Sequence, residues 1–527
     1  MRGDMSSTLA KANFGDNLIE RLTDAIGAAS VSTEPGQLGF MSNDVYRGGG
    51  SPAAVVRPKN VEALQAAVRA CAEAGVAMVP RGGGASYTDG YLIEGGGHVL
   101  IDTGALDNID IDVTNATVKV GAGVTWAALK EALAPHGLRT PFWGPFSGLV
   151  ATIGGSVSQN ALSHGSGAFG ISAGSVLSLD VVLASGDLMR TGASQVIRNY
   201  GPDMTGLFCG DCGALGIKAA ITLPLVAVKT ASADVSFAFA DFAAFAEAGR
   251  LIQLEGLDDE HFGLDIALSQ GQIARQEGAG ARLRIAADIM RAAPNKLGGL
   301  LQLARMGIAG SNAAAADEYM WHFMVDGAND VEAKAKADRI RLVLGKHGRE
   351  IANSVPSYVR AMPFAALFNI LGPKGERWVP VHGVLPQTQA LPFHAALTAL
   401  FASHKAEMER LGVWCGTMFS PVGSTGFLYE IAIYWPDART AFHESILDRD
   451  HLETIPAYPK SAETFALADQ LKREMVALYA AHDAAHFQIG RAYPYQQRLD
   501  PAAQALLRVV KAQLDPQGLM NPGVLGL

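Results

Sequence analysis

The chain has 527 residues, of which 49% are hydrophobic and 18% are charged, and its formal net charge is -9 at pH 7. A chain of this length exceeds one compact core, so we expect two or three domains. The acidic balance argues against nucleic-acid partners and anionic membrane surfaces, because no basic excess is available to neutralise their phosphates. We see no uncharged apolar run of roughly 18 or more residues, so no membrane span is predicted.

The N-terminus and the cysteines give an expected location. Met1–Asn17 carries Asp4 and lacks an apolar core segment, which is unlike a secretory signal. Four cysteines in the whole chain are too few for a disulfide framework, which favours a reducing compartment and a cytoplasmic protein. Cys209 and Cys212 have CxxC spacing, but a metal site would need two more ligands and a redox motif should open a helix. We interpret them as packing residues and predict no metal site.

The first elements in chain order are a helix, a strand and a glycine loop. Asn60 is a good N-cap, apolar residues recur on one helical face after it, and Gly75 suits the end of the helix. Further elements are predicted along the N-terminal part: strands at His98–Thr103, Thr117–Ala122, Val176–Ala184, Leu188–Arg190 and Ile217–Val228, and a helix from Thr125 to His136 that ends at Gly137. Ser185-Gly186-Asp187 between two apolar runs is typical of a hairpin.

Between residues 229 and 482 the sequence changes to long Ala-rich segments. Helices are predicted at Phe239–Glu255, Gln272–Met290, Val331–Lys346 and Leu391–Leu411, and strands at Trp378–Val384 and Gly426–Trp435. This alternation indicates an α+β domain with helices over an antiparallel sheet. Leu297–Ala314 is either a buried helix or an apolar surface element. The tail, Leu499–Leu527, predicts one helix that ends at Asp515.

Two glycine-rich stretches carry the strongest functional signal. In Pro80–Tyr87 three consecutive glycines remove every Cβ from one side of a bend, so successive N–H groups can converge on an anion beside Arg81. Ser86 adds a hydroxyl donor. A plain surface turn is the alternative for one such loop. The second stretch, Ala151–Ala161, follows about seventy residues later, and the recurrence favours a cradle for a diphosphate.

Six segments stand in the order of a known family. They are Ala54–Pro58, Pro80–Tyr87, Val120–Gly123, Ala151–Asn160, Leu207–Ile217 and Leu514–Gly523. Each alone is weak, but together they resemble the vanillyl-alcohol oxidase and p-cresol methylhydroxylase (PCMH-type) superfamily of FAD enzymes. The resemblance implies an α+β fold: a two-subdomain FAD-binding domain in residues 1–228, an inserted α+β cap over the substrate in 229–482, and a C-terminal segment, 483–527, that returns to the FAD domain.

The resemblance also implies which residues touch FAD. The set comprises the first glycine stretch, the second one and three later positions: Pro80, Arg81, Gly82, Gly83, Gly84, Ala85, Ser86, Tyr87, Thr152, Gly154, Gly155, Ser158, Asn160, Gly165, Ile217, Arg491 and Asn521. Some relatives tether the flavin through a histidine in the first loop, where this chain has Ala85. Others use a histidine or tyrosine on a cap strand, where only Tyr429 is available. We therefore expect non-covalent FAD.

The catalytic residues implied are Arg491, Tyr493, Tyr495 and His382. Arg491 matches an arginine that stabilises an anionic flavin or phenolate, but Gly490 replaces the tyrosine expected before it. Tyr493 and Tyr495 could take the place of that phenol. A surface ion pair is the alternative for Arg491, packing for the tyrosines and a structural role for His382. His164 belongs either beside the flavin or simply in a loop.

The substrate expected is an aromatic or phenolic alcohol or a related small molecule. The alternative is a 2-hydroxy acid such as glycolate or D-lactate, but the histidine-rich metal motif of that branch is missing here. A third alternative is an FAD-binding subunit without its own turnover. Oxygen, a cytochrome or a quinone would accept the electrons. A homodimer is one assembly open to such a chain, and the sequence does not decide the oligomeric state.

Overall fold

The computed structural model describes residues 16–192, 196–269, 319–364, 371–446 and 449–527. Three larger sheets organise them. The first has four strands in the order Val31–Ser32, Ala54–Val56, Val99–Asp102, Met78–Arg81. Its last three strands run parallel, and the C-terminal tail joins the free edge, since Met78 N donates to Leu519 O and Asn521 N donates to Met78 O. The tail therefore lies beside the strand that leads into the first glycine stretch.

The second sheet has five antiparallel strands. Their order is Ile109–Asp112, Thr117–Gly121, Ile217–Pro224, Ser178–Val182, Leu188–Arg190. All five were predicted except Ile109–Asp112. Its partner strand has buried residues at both ends, whereas Ile109–Asp112 alternates half-buried and exposed positions along the sheet edge. Two short strand pairs are separate from the larger sheets: Leu138–Arg139 with Val226–Ala227, and Ala231–Ser232 with Asp326–Gly327.

The third sheet, called the cap sheet below, has seven antiparallel strands. Their order is Arg349–Ile351, Val235–Phe239, Tyr319–Met324, Glu260–Asp265, Trp414–Val422, Gly426–Pro436, Glu376–Pro386. Only the last two were predicted. The predicted helix start at Phe239 was wrong, because Phe239 ends a strand and the helix begins at Phe242. The predictions for Gln272–Met290 and Leu297–Ala314 lie outside the described residues.

Alternation along the strands gives the cap sheet two different faces. Helices pack on the helix-side face, where Val379, Val381, Tyr429 and Ile431 are buried in the largest apolar cluster. These helices are Phe242–Glu255, Asp330–Leu344, Ala390–Leu411 and Ala462–Ala481. The opposite face, called the loop-side face, carries a different set of side chains: Trp378, His382, Met418, Glu430, Tyr434 and Phe262.

The remaining helices complete the described chain. They are Asp16–Ile26, Pro35–Met41, Val61–Glu73, Trp126–Leu133, Ile153–Gln159, Ser166–Phe169, Met204–Leu207, Ser354–Ala361, Ala441–Ile446, Arg449–Thr454 and Pro501–Leu514. The local signals predicted two ends correctly: Asn60 caps its helix through Ala63 N, and Gly137 adopts φ 64°. Of the helices within the described ranges, none has the length and apolar character needed to span a membrane.

Candidate functional site

The two glycine stretches pack directly against each other. A Cβ on Gly83 would lie inside the carbonyl oxygen of Val150, and one on Gly82 would collide with Thr152 Oγ1. Gly84 has φ +75°, a conformation that other residues rarely adopt. The bend therefore requires glycine at all three positions for reasons of space or backbone conformation.

The first stretch, called the cofactor loop below, presents a run of unbonded amides. Within the described ranges, no acceptor is found for the N–H groups of Gly83, Gly84, Ala85, Ser86 or Tyr87. Successive free N–H groups in a bend form an anion-binding concavity. Arg81 beside them is buried, and its Nε has no hydrogen-bond partner among the described residues. A buried guanidinium and five free donors fit a diphosphate.

The second stretch mainly packs against the cofactor loop and uses its own polar groups within the protein. Thr152 Oγ1 accepts from Gly155 N at 3.2 Å and so caps the helix Ile153–Gln159, and Gly154 N donates to Ala122 O. Those groups are used internally. Asn160 ends the helix with φ 53°, and its buried Oδ1 has no partner in the described part of the chain. Ser158, half-buried, receives a bond from Cys212 N on its carbonyl.

Four other residues that the sequence suggested as cofactor contacts lie in different surroundings. Pro80 packs against Gly213, and Ile217, fully buried, begins the central strand of the second sheet. Gly165, with φ 87°, donates its N–H to Glu260 Oε2 at 3.3 Å. Tyr87 points away from the loop, and its ring meets the cap sheet edge-on at 5.2 Å from Trp378 and 5.9 Å from His382.

Arg491 lies between the cofactor loop and the tail. Its Nη1 donates to Asp89 O at 2.6 Å, and its Nη2 donates to Asn521 Oδ1 at 2.8 Å and Pro522 O at 2.7 Å. Burial lowers the pKa of Arg491 to about 10, so the guanidinium stays charged at neutral pH. The surface ion pair considered from the sequence is not what holds it, since its acceptors are amide oxygens.

The other three catalytic candidates separate in space. His382 is fully buried on the loop-side face, stacks on Phe487 at 3.9 Å and lies 5.3 Å from the Tyr493 ring. The Tyr493 hydroxyl accepts from His382 N at 3.1 Å, and its ring stacks on His486. Tyr495, in contrast, packs beside Val524 and Leu525 in a different small apolar cluster.

His382 and Tyr493 are both neutral at pH 7. Burial lowers the pKa of His382 well below its ordinary value and raises the pKa of Tyr493 far above its own. Both ring nitrogens of His382 lack partners among the residues described. A neutral imidazole has one donor and one acceptor nitrogen, and neither is satisfied by these residues.

Sequence reasoning missed Glu430. It pairs with His382 across neighbouring antiparallel strands, so the two side chains share the loop-side face. Glu430 is half-buried, and burial raises its pKa to about 7. Its signal was available: a single charged residue interrupts the apolar strand Gly426–Trp435, two positions from neighbours that belong to the same face.

Tyr429, considered as a flavin tether, lies on the helix-side face of the cap sheet. Its ring is buried under the helices, 4.9 Å from Phe393, and its hydroxyl contacts His394 Nδ1 at 2.8 Å. The strand alternation places it opposite Glu430.

His164 joins the glycine region to the cap sheet. Its Nδ1 lies 2.7 Å from Glu260 Oε1 and its Nε2 lies 2.8 Å from Pro363 O, while its ring stacks on Trp143 at 4.3 Å. Both nitrogens are thus occupied by protein groups. His164 serves as a junction between the two parts of the molecule, which favours the structural interpretation over direct contact with a flavin.

The cysteine pair has no partner sulfur. All four cysteines are free thiols, and burial raises the pKa of Cys209 to about 11 and of Cys212 to about 12. Cys212 Sγ accepts from Gly490 N at 3.4 Å. Among the residues that the structure covers, no group of three or more His, Cys, Asp or Glu side chains could hold a metal ion.

Comparison with sequence families agrees with the glycine-loop geometry. Residues 52–192 match the model of an FAD binding domain. Glycolate oxidase subunit GlcD of Bacillus subtilis is 34% identical over 175 residues, 33% of this chain and 37% of that protein. D-lactate dehydrogenase of Archaeoglobus fulgidus is 30% identical over 172 residues, 32% of this chain and 38% of that protein. The chain thus matches little more than a third of the length of these relatives.

Solved structures match over nearly the whole chain. 4-Ethylphenol oxidase from Gulosibacter chungangensis has a TM-score of 0.68 at 16% identity, covering 97% of this chain and 96% of that one. p-Cresol methylhydroxylase has a TM-score of 0.67 at 17% identity with the same coverage. Alkyldihydroxyacetonephosphate synthase has a TM-score of 0.68 at 14% identity, covering 96% and 84%. At these identities the likeness is one of fold. FAD as the cofactor is supported by the match of residues 52–192 to the FAD binding domain.

Proposed function

We propose that this chain, a member of the FAD-linked oxidoreductases with a PCMH-type FAD-binding domain, oxidises a small neutral aromatic or phenolic alcohol or a related CH donor. The observation that carries the substrate class is Glu430. It stands half-buried on an aromatic face, and among the described residues no cation is found to pair with it. A substrate carboxylate placed there would add a second uncompensated negative charge, which burial makes costly.

On the cofactor side of the site, the role of the protein is to bind FAD. The five free N–H groups of the cofactor loop and Arg81 would hold the diphosphate of FAD, with Asn160 and Gly155 on the adjoining wall. Bound FAD supplies the acceptor for a hydride from the substrate carbon. The domain limits 1–228, 229–482 and 483–527 remain our proposal for how the chain divides around it.

On the substrate side of the site, the role of the protein is to accept a proton and to orient the substrate. Glu430, with a pKa near 7, is suited to accept the proton of a substrate hydroxyl as the carbon–hydrogen bond breaks. His382 and Tyr493, both neutral, would orient the oxygen by hydrogen bonds. The rings of Tyr87, Trp378 and Phe487 line the same side and exclude water. Electrons would leave to oxygen, a cytochrome or a quinone.

A second candidate is oxidation of a 2-hydroxy acid. It is favoured by the 34% identity to the GlcD subunit, which covers 33% of this chain. Such a substrate needs a cation for its carboxylate. Arg491 is the candidate that the sequence offers, but three of its donors are engaged by protein oxygens.

The experiment is anaerobic bleaching of the yellow protein by a panel of benzylic and phenolic alcohols against 2-hydroxy acids. We expect bleaching by the neutral aromatic alcohols. Bleaching by the acids alone would overturn the substrate class, and no bleaching by either set would support an FAD-binding subunit without turnover.

Three finer points are part of the same proposal. FAD is held non-covalently, which flavin remaining with the acid-precipitated pellet would refute. The four free thiols are consistent with a cytoplasmic location. A homodimer is the assembly we would test first, by light scattering.

A further inference from the structure

A four-residue segment, Gln488–Arg491, ties together three parts of the chain that surround the cofactor loop. Gln488 N donates to Gln159 O at 2.6 Å, Gly490 N to Cys212 Sγ at 3.4 Å and Arg491 N to Thr88 O at 2.9 Å. We call this segment the strap. A Cβ on Gly490 would collide with Thr88 O, so the strap lies in close backbone contact with the end of the loop.

The side chains of Arg491 and Asn521 continue the same connection. Arg491 joins Asp89 O to the tail at Asn521 and Pro522. Asn521, buried and with φ 41°, donates from Nδ2 to Gly90 O at 2.8 Å and to Cys212 O at 2.7 Å. The two residues bond each other and share the segment 89–90 as a partner, so they form one clasp.

The number of N–H donors that Arg491 has already committed indicates that it holds protein segments together. A guanidinium has five N–H donors, and three of those of Arg491 are committed to neutral oxygens of the protein. A charged donor with such bonds is fixed in place, and each bond of this kind is worth more than a neutral one. The five free amides of the cofactor loop end at Tyr87, directly before the residues that the clasp holds.

We propose that Arg491 is a positioning residue: with Asn521 it fixes residues 88–90 to the tail and thereby sets the direction of the cofactor-loop amides. This inference uses the FAD site and does not depend on which substrate is oxidised. It also gives Cys212 a role as a structural acceptor for the strap, in place of metal or redox use.

The test is a double-mutant cycle on the full chain with Arg491→Ala, Asn521→Ala and the double variant. The dissociation constant of FAD is measured by reconstitution of the apoprotein. We expect each single change to weaken FAD binding about tenfold or more, the worth of one charge-assisted hydrogen bond. The double variant should lose little beyond the weaker binder, because both changes break one clasp.

The second readout is the rate of flavin reduction at saturating FAD, by whichever substrate bleaches the unaltered protein. A clasp predicts that Arg491→Ala and Asn521→Ala slow it to a similar extent. Unchanged FAD affinity together with a loss of reduction confined to Arg491→Ala would overturn the proposal and restore a catalytic arginine. If no substrate is found, the affinity cycle alone still decides.

Two further variants guard against a trivial loss of folding. Arg491→Lys keeps the charge but cannot reach both sides at once, so intermediate FAD affinity is expected. Arg69→Ala is the control, since Arg69 also donates to a backbone carbonyl, Gly186 O at 3.0 Å, in the same half of the molecule. Its FAD affinity should match that of the unaltered protein, and an equal loss there would contradict the clasp.

Discussion

The cofactor loop and the loop-side face of the cap sheet, which are the two sides of the site that we propose, offer different kinds of chemical group. The loop offers backbone: five N–H groups have no acceptor among the described residues, in a bend that glycines allow. The cap sheet offers side chains: Glu430 and His382 are paired across two neighbouring strands. Binding through the backbone depends on glycines, which carry no side chain to cover the N–H groups. Chemistry by side chains depends on the strand register that brings two of them together. The glycine loop can be recognised in a sequence, whereas the meeting of two side chains on a sheet can be recognised only when the strand pairing is known.

The largest effect expected is on the cofactor loop. Gly83→Ala places a methyl group against the backbone of Val150, which cannot move as a side chain can. We expect protein that is colourless or fails to fold, checked by absorbance and by FAD reconstitution. Gly95→Ala is the matched control, because a Cβ there meets nothing within 4 Å. Yellow Gly83→Ala protein with unaltered affinity would remove the loop from the cofactor site.

The next effect concerns the cap sheet. Glu430→Gln keeps the size of the side chain and removes the base, so we expect flavin reduction to slow by about 100-fold or more while FAD stays bound. Stopped-flow reduction under nitrogen measures it. Tyr429→Phe, one residue earlier and on the helix-side face, is the control and should reduce at nearly the unaltered rate. Equal rates in all three proteins would exclude Glu430 as the base.

A third prediction tests the junction between the two regions. Glu260→Ala leaves His164 Nδ1 and Gly165 N buried without their acceptor, which should lower the free energy of unfolding by about 1–3 kcal/mol. Denaturant titration followed by fluorescence gives the value. Stability equal to that of the unaltered protein would show that the pair does not hold the regions together.

A smaller effect is expected from Tyr429→Phe itself. It removes the contact to His394 Nδ1 without opening a cavity, and a loss of about 1 kcal/mol or less in stability should follow. Its flavin should still be released by acid precipitation. A change from retained to released flavin on this substitution would instead identify Tyr429 as a tether.

The sequence predicted the N-terminal half well because its signals are local. Asn60 and Gly137 act within one helix, and the glycines of the cofactor loop can be recognised without knowing what they face. The strands Glu260–Asp265 and Tyr319–Met324 were missed because they are almost entirely buried and show no alternation of period two. Trp414–Val422 was missed as well, and it carries Gly416 and Pro421, which lower strand propensity.

The site residues divide in the same manner. The predicted cofactor loop has the free donors that were expected, whereas Thr152 and Gly154 use theirs within the protein. Tyr495 lies in another cluster from Tyr493 although only two residues separate them. Glu430 was overlooked beside Tyr429, since a one-residue difference in a strand reverses the face. Such differences depend on register, which single-sequence patterns do not contain.

The most direct test of the account is the pH dependence of anaerobic flavin reduction in the unaltered protein and in Glu430→Gln. The pKa of Glu430 is raised by burial from 4.5 to about 7, so its base form appears only as the pH rises through that value. We predict a reduction rate that increases between pH 6 and 8, roughly one unit on either side of the pKa, and a slow, flat profile in the variant. A profile with the same rise in both proteins would contradict the assignment of Glu430 as the base.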